Sequence, residues 1–70
     1  DFTECVLTGS KFDQCDLAGA AFDRTNLEKV DFTTAYNYNI DPEINRLKNA
    51  KFSLLGVSGL LAKYHIDIVM

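Results

Sequence analysis

Large apolar residues recur at every fifth position over the first half of the chain. Phenylalanine and leucine alternate in this series: Phe2, Leu7, Phe12, Leu17, Phe22, Leu27 and Phe32. A small or short residue stands two positions before most of them. This spacing matches neither the helical period of about 3.6 residues nor the strand period of about two. The pattern predicts a chain that turns a corner every five residues and points one large and one small residue inward on each short side.

The composition is that of a small acidic globular chain. Of its 70 residues, 47% are hydrophobic and 24% are charged, and the formal net charge is -3. This charge argues against a basic module that binds nucleic acid directly. No apolar run approaches the roughly 18 residues of a membrane span, and the first residues do not resemble a signal peptide. We therefore expect a cytoplasmic protein with no nucleic-acid or membrane partner.

The residues that could carry chemistry are few. Cys5 and Cys15 lie ten residues apart at small inward positions, where buried, reduced thiols are the expected state. His65 stands alone, so a metal site is not expected. Neither a nucleophile-elbow motif nor a phosphate-binding loop is present in the sequence. These features predict a protein that is not an enzyme and has no cofactor or metal.

The repeating unit resembles that of a known family. Residues 15–19 (CDLAG) and 25–29 (TNLEK) are similar to the A-(D/N)-L-x-x unit of pentapeptide-repeat proteins. The resemblance covers residues 1–36 and implies an all-β solenoid, a right-handed quadrilateral β-helix with a coil of about twenty residues. Asn37 and Pro42 then interrupt the series, which returns at Leu47. We expect the β-helix to span residues 1–57, with a degraded coil at 37–46.

A coil of about twenty residues predicts the core. Residues twenty positions apart should stack, with neighbouring coils about 4.8 Å apart. The expected stack consists of Phe2, Leu7, Phe12, Leu17, Phe22, Leu27, Phe32 and Phe52.

The last residues follow other patterns. Val57, Leu60, Leu61 and Tyr64 have the spacing of a short amphipathic helix, and residues 66–68 alternate as in a strand. We expect residues 58–70 to form a capping helix and a dimerisation strand. The arrangement is similar to the C-terminus of the quinolone-resistance (Qnr-like) subgroup, which implies a homodimer. The expected interface is Leu60, Leu61, Tyr64, Ile66 and Ile68, with His65 near its rim.

The acidic residues are concentrated in the first half. Residues 1–35 hold seven acidic and three basic side chains, whereas residues 36–70 hold three acidic and four basic ones. The expected acidic surface is Asp13, Asp16, Asp23, Glu28 and Asp31. In Qnr-like relatives, the resemblance implies, such a rod imitates DNA, binds DNA gyrase or topoisomerase IV and modulates quinolone sensitivity.

Two alternatives to mimicry stay open. The acidic residues could be an ordinary solvated surface, and the chain a structural scaffold for protein–protein contacts with an unidentified partner. Three coils would also be only about 14 Å long, shorter than one DNA turn of about 34 Å. We therefore expect these residues to be the C-terminal part of a longer solenoid.

Overall fold

The regular elements of the chain are short. A computed structural model describes residues 1–69. Strand β1 (Phe2–Thr3) is followed by strand β2 (Phe22–Asp23), and two 3-10 helices (Val57–Leu60 and Ala62–Tyr64) come near the end. The two strands pair in parallel, with Phe2 opposite Phe22. No helix among the described residues is long and apolar enough to cross a membrane.

Backbone pairing repeats at intervals of twenty residues. Beyond the two strands, single parallel bridges join Val6 to Asn26, Lys11 to Asp31, Asp16 to Tyr36, Asn26 to Arg46, and Asp31 to Lys51. Hydrogen bonds such as that from the Leu7 N–H to the Asn26 carbonyl (2.9 Å) connect the same levels. This is the pairing of a β-helix-like solenoid. A chain that turns every five residues leaves one or two residues on each side for pairing, so the strands stay short.

The corners use left-handed backbone conformations. Every fifth residue from 4 to 29 has a positive φ, between 51° and 77°: Glu4, Gly9, Gln14, Gly19, Arg24 and Lys29. At the glycine corners a hydrogen bond closes the turn between the leucine carbonyl and the N–H three residues later. The Ser10 N–H, for example, donates to the Leu7 carbonyl at 2.9 Å. Glycine adopts this conformation without steric cost, whereas other residues pay for the proximity of their Cβ to the carbonyl.

Stacked phenylalanine rings run along the solenoid. The rings of Phe2 and Phe22 stack with centroids 4.9 Å apart. Phe32 stacks between Phe12 (5.2 Å) and Phe52 (5.0 Å), and it meets Phe22 edge to face. Of the residues expected in the core, Leu17, Phe22, Leu27 and Phe32 are buried, and Phe2, Leu7, Phe12 and Phe52 are half-buried. Burial is therefore deepest in the middle coil, where both neighbouring coils cover the rings.

The segment that interrupts the repeat still contributes to the core. Tyr38 lies off the five-residue register, and Ile40 is a large residue at a position where the register elsewhere has a small one; they are only 5% and 1% exposed and belong to the core cluster. Asn45 is also buried, and Arg46 pairs with Asn26 in the coil before it. The segment expected to be a degraded coil therefore supplies two core side chains from a loop and then rejoins the register of the repeat.

The tail differs from its prediction. The expected amphipathic helix is replaced by the two short 3-10 helices, and residues 66–69 contain no strand. So short a helix is marginal without packing on one face, and Gly56 and Gly59 lower helix propensity further. A strand at 66–68 would need a partner edge, and none of the described residues pairs with it. Met70, which ends the expected capping segment, lies outside the described residues.

Candidate functional site

The five acidic residues expected at the surface have different surroundings. Asp13 and Asp16 are exposed, whereas Asp23, Glu28 and Asp31 are half-buried. Asp23 pairs with Arg24, with 3.3 Å between Oδ1 and Nε. The backbone of Asp31 pairs with Lys11 on one side and with Lys51 on the other. The positive charges of both lysines favour the ionised form of the Asp31 carboxyl. The five carboxylates therefore differ in exposure, and cations accompany two of them.

Asp13 and Asp16 form what we call the anionic corner. They lie on either side of Gln14, a corner residue with a φ of 52°. The next coil provides neutral donors: the Thr34 hydroxyl donates to Asp13 (3.0 Å), and the Asn37 amide donates to Asp16 (3.1 Å). Within residues 1–69, neither carboxylate has a cationic group within 4 Å. Both therefore present negative charge to solvent.

Hydrogen bonding keeps Asp31 ionised as well. The hydroxyl and the backbone N–H of Thr33 both donate to Asp31 Oδ1, at 2.6 and 2.9 Å. These hydrogen bonds, first that of the hydroxyl, hold the pKa of the Asp31 carboxyl below its usual value, with a smaller contribution from Lys11 and Lys51. The column of Lys11, Asp31 and Lys51 is thus an alternating charge ladder rather than part of an acidic stripe.

The chain end carries an exposed apolar surface. Of the residues expected at the dimer interface, Leu60 is half-buried and packs against the core, whereas Leu61, Tyr64, Ile66 and Ile68 are exposed. A groove beside them is lined by Leu54, Leu55, Val57, Ser58, Leu61 and Ile68. Leu54 and Leu55, which are 86% and 78% exposed, were not expected at this surface from the sequence. Leu54 stands at a corner position of the five-residue unit and Leu55 at a small-residue position, and a large apolar residue at either place is the signal that could have revealed them.

Comparison with known families agrees with this geometry. The family model for pentapeptide repeats matches residues 1–36, with eight copies of the repeat. The chain belongs to the pentapeptide-repeat family. No curated protein matches this pentapeptide-repeat protein. Members of the family are generally non-catalytic.

The thiols of this pentapeptide-repeat protein take part in local contacts. Cys5 and Cys15 are free and half-buried. Each Sγ donates to the carbonyl two residues earlier, Cys5 to Thr3 at 3.5 Å and Cys15 to Asp13 at 3.4 Å. In the part of the chain that the structure describes, no three His, Cys, Asp or Glu side chains come together as metal ligands would.

Proposed function

We propose that this pentapeptide-repeat protein is a Qnr-like DNA mimic: a cytoplasmic, non-catalytic protein that binds DNA gyrase or topoisomerase IV and modulates quinolone sensitivity. The observation that supports the proposal is the anionic corner, where Asp13 and Asp16 lack a cation partner within 4 Å. The proposal includes a right-handed, four-sided path for the coil, because a rigid rod of that shape would hold the carboxylates at regular spacing.

Electrostatics gives the proposed contact its mechanism. An enzyme surface that holds DNA is built to attract phosphates, and it also attracts a regular array of carboxylates. Backbone pairing between coils keeps Asp16 beside Tyr36 without a change of fold on binding. Little ordering entropy is then lost when the complex forms, which favours binding by a small rigid surface.

The experiment compares neutral variants of the corner with a distant one. Asp13→Asn with Asp16→Asn removes two charges, and Asn keeps one carbonyl acceptor for the donors of Thr34 and Asn37. Asp67→Asn is the matched control, because Asp67 is an exposed acid in the tail. We expect the double variant to lose inhibition of gyrase supercoiling, and the wild-type effect to weaken as salt rises. Absence of gyrase binding at low salt would contradict the proposal.

A scaffold for another protein is the second candidate function. Arg24 lies within salt-bridge distance of both Glu4 (3.4 Å) and Asp23 (3.3 Å), which neutralises acidic charge on that side of the coil. A surface of mixed charge fits a protein partner better than it imitates a uniform polyanion. Retention of partner binding in the double variant, with no effect on gyrase, would favour this candidate.

We also propose that two copies associate through their C-terminal ends. The exposed Leu61, Tyr64, Ile66 and Ile68 support this, because exposed apolar side chains lose contact with water when they pack against those of a second copy. Ile66→Asp with Ile68→Asp should convert the dimer to a monomer in sedimentation velocity. Val6→Asp is the control, since Val6 is 76% exposed on the coil. A dimer that survives the tail variant would contradict this interface.

A further inference from the structure

Two segments of the chain depart from the five-residue repeat, and they contact each other. One is the loop of residues 37–43, and the other is residues 56–64, which we call the strap. The backbone N–H of Ile40 donates to the Gly59 carbonyl at 3.0 Å. A Cβ on Gly59 would overlap the Tyr38 carbonyl oxygen, so the strap backbone lies directly against the loop.

Charged groups account for the side-chain contacts at the far end of the strap. Lys63 Nζ lies 3.1 Å from Asp41 Oδ1 and also pairs with Glu43. The Tyr64 hydroxyl donates to Glu43 at 3.2 Å. Asp41 and Glu43 from the loop, and Lys63 and Tyr64 from the strap, are the titratable groups that face one another. His65 follows the second 3-10 helix and is exposed.

Apolar burial contributes little to the same contact. None of residues 54–69 is fully buried. Within that stretch Leu60 is the side chain that packs against the core, and it is only half-buried. Hydrophobic stabilisation scales with the area removed from water, so a segment with so little buried area relies on its polar contacts.

The closed strap also leaves a polar group without a partner. The hydroxyl of Tyr38 is buried and makes no hydrogen bond among the described residues. A Cβ on Gly56 would overlap this hydroxyl oxygen, which places the start of the strap directly over it. Because burial disfavours the phenolate, the pKa of Tyr38 lies above its usual value. Opening the strap would return the hydroxyl to water and recover its hydration.

We propose that the strap is releasable: residues 56–64 detach from loop 37–43 when the charges of that contact are screened or removed, while the coil beneath stays folded. The closed form depends on Lys63 and its two carboxylate partners, and the hydration of Tyr38 favours the open form. Release uncovers Tyr38, whose ring contacts Phe52 at the end of the core stack (5.7 Å). The end of the solenoid is thus a separable unit with its own opening equilibrium.

Amide hydrogen exchange on the intact wild-type chain tests the proposal without any mutation. Exchange of the Ile40 N–H, bonded to Gly59, reports the strap, and exchange of the Phe32 N–H, bonded to Lys51 (2.8 Å), reports the coil. The salt is raised from low to high at constant pH. We expect Ile40 exchange to accelerate by about threefold or more, with Phe32 unchanged.

A variant gives the matching result at fixed salt. Lys63→Met removes the charge and keeps most of the side-chain length, and Lys48→Met is the control, since Lys48 is exposed on the coil. Lys63→Met should accelerate Ile40 exchange and bring the titration of Tyr38 closer to that of an ordinary tyrosine. The proposal is overturned if Ile40 exchange responds to neither salt nor the variant. It is equally overturned if Ile40 and Phe32 accelerate together, because the strap would then open only with the whole fold.

Discussion

The buried amide oxygen of Asn45 accepts a hydrogen bond from the backbone N–H of Thr25, at 3.0 Å and twenty residues earlier in the chain. The amide nitrogen of Asn45 donates to the carbonyls of Phe22 (3.0 Å) and Asp41 (2.9 Å). The Thr25 hydroxyl in turn accepts from the Cys5 N–H at 3.3 Å. Cys5, Thr25 and Asn45 thus form a polar ladder through three levels, at the inward position where the repeat elsewhere has small residues.

Replacing Asn45 with Ala should lower the free energy of unfolding by at least about 1–3 kcal/mol. The change leaves the Thr25 N–H and the Phe22 carbonyl without the partner that Asn45 provides, and a buried unpaired polar group carries its full desolvation cost. Urea unfolding followed by circular dichroism measures it. Asn39→Ala is the control, because Asn39 is exposed. Equal stability of the two variants would contradict the role given to the ladder.

Replacing Phe32 with Ala should cost about 3–5 kcal/mol, enough to unfold most of so small a protein. Phe32 is fully buried and stacks on a ring on both sides, whereas Phe2 is half-buried and stacks on Phe22 alone. Phe2→Ala should therefore cost clearly less. Thermal unfolding of the two variants gives the comparison, and similar losses would mean that position along the stack does not govern stability.

Gly19→Ala should destabilise the fold by about 1–2 kcal/mol through the backbone alone. Gly19 has a φ of +77°, and no atom lies within 4 Å of a Cβ built there, so no steric contact with other residues contributes. Asn tolerates the left-handed conformation better than Ala does, so Gly19→Asn should cost less. Chemical denaturation of both variants tests this. A larger loss for Asn than for Ala would contradict a conformational cause.

The Asp31 carboxyl should make the fold sensitive to acid. Its pKa is lowered in the folded state, first by the Thr33 hydroxyl and then by the Thr33 N–H. A lowered folded pKa stabilises the fold above the ordinary aspartate pKa of about 4, and this stabilisation is lost as pH falls through the folded value. Thr33→Val removes the hydroxyl, so melting temperatures between about pH 6 and pH 3 should fall less steeply in this variant. An unchanged slope would exclude the Thr33 hydroxyl as the cause.

Tyr38→Phe should leave the protein as stable as the wild type or stabilise it by up to about 1–3 kcal/mol. The variant keeps the ring that contacts Phe32 (5.8 Å) and Phe52 (5.7 Å), and it removes a buried hydroxyl that has no partner. Tyr36→Phe is the control, since Tyr36 is 50% exposed. Calorimetric unfolding of both should show the gain at position 38 only, and a marked loss there would reveal a hydrogen bond to the hydroxyl.

The sequence by itself determined the repeat and its register. Each five-residue unit contains one large apolar residue, one small residue, and a corner two positions after the large residue, as in Leu17 and Gly19. These are local steric requirements repeated along the chain. Together with the coil of about twenty residues that the resemblance to pentapeptide-repeat proteins implies, they predict that Phe2 faces Phe22. The sequence also identified the acidic residues of the coil and the apolar residues of the tail, but not the side chains that contact them in the folded protein.

The tertiary structure decided everything that departs from the repeat. Tyr38 enters the core off register, and a large Ile40 is buried at a position that elsewhere holds a small residue. Asn45 becomes a buried hydrogen-bonding centre, and the expected helix and strand of the tail give way to 3-10 turns. Lys63 and Glu43 are twenty residues apart, as paired residues of neighbouring coils are, but both follow the stretch in which the five-residue pattern is unbroken, so the repeat does not mark them as partners. These contacts depend on which backbone and side-chain groups remain without a partner in the folded coil. Which groups those are is determined only when all the coils are stacked.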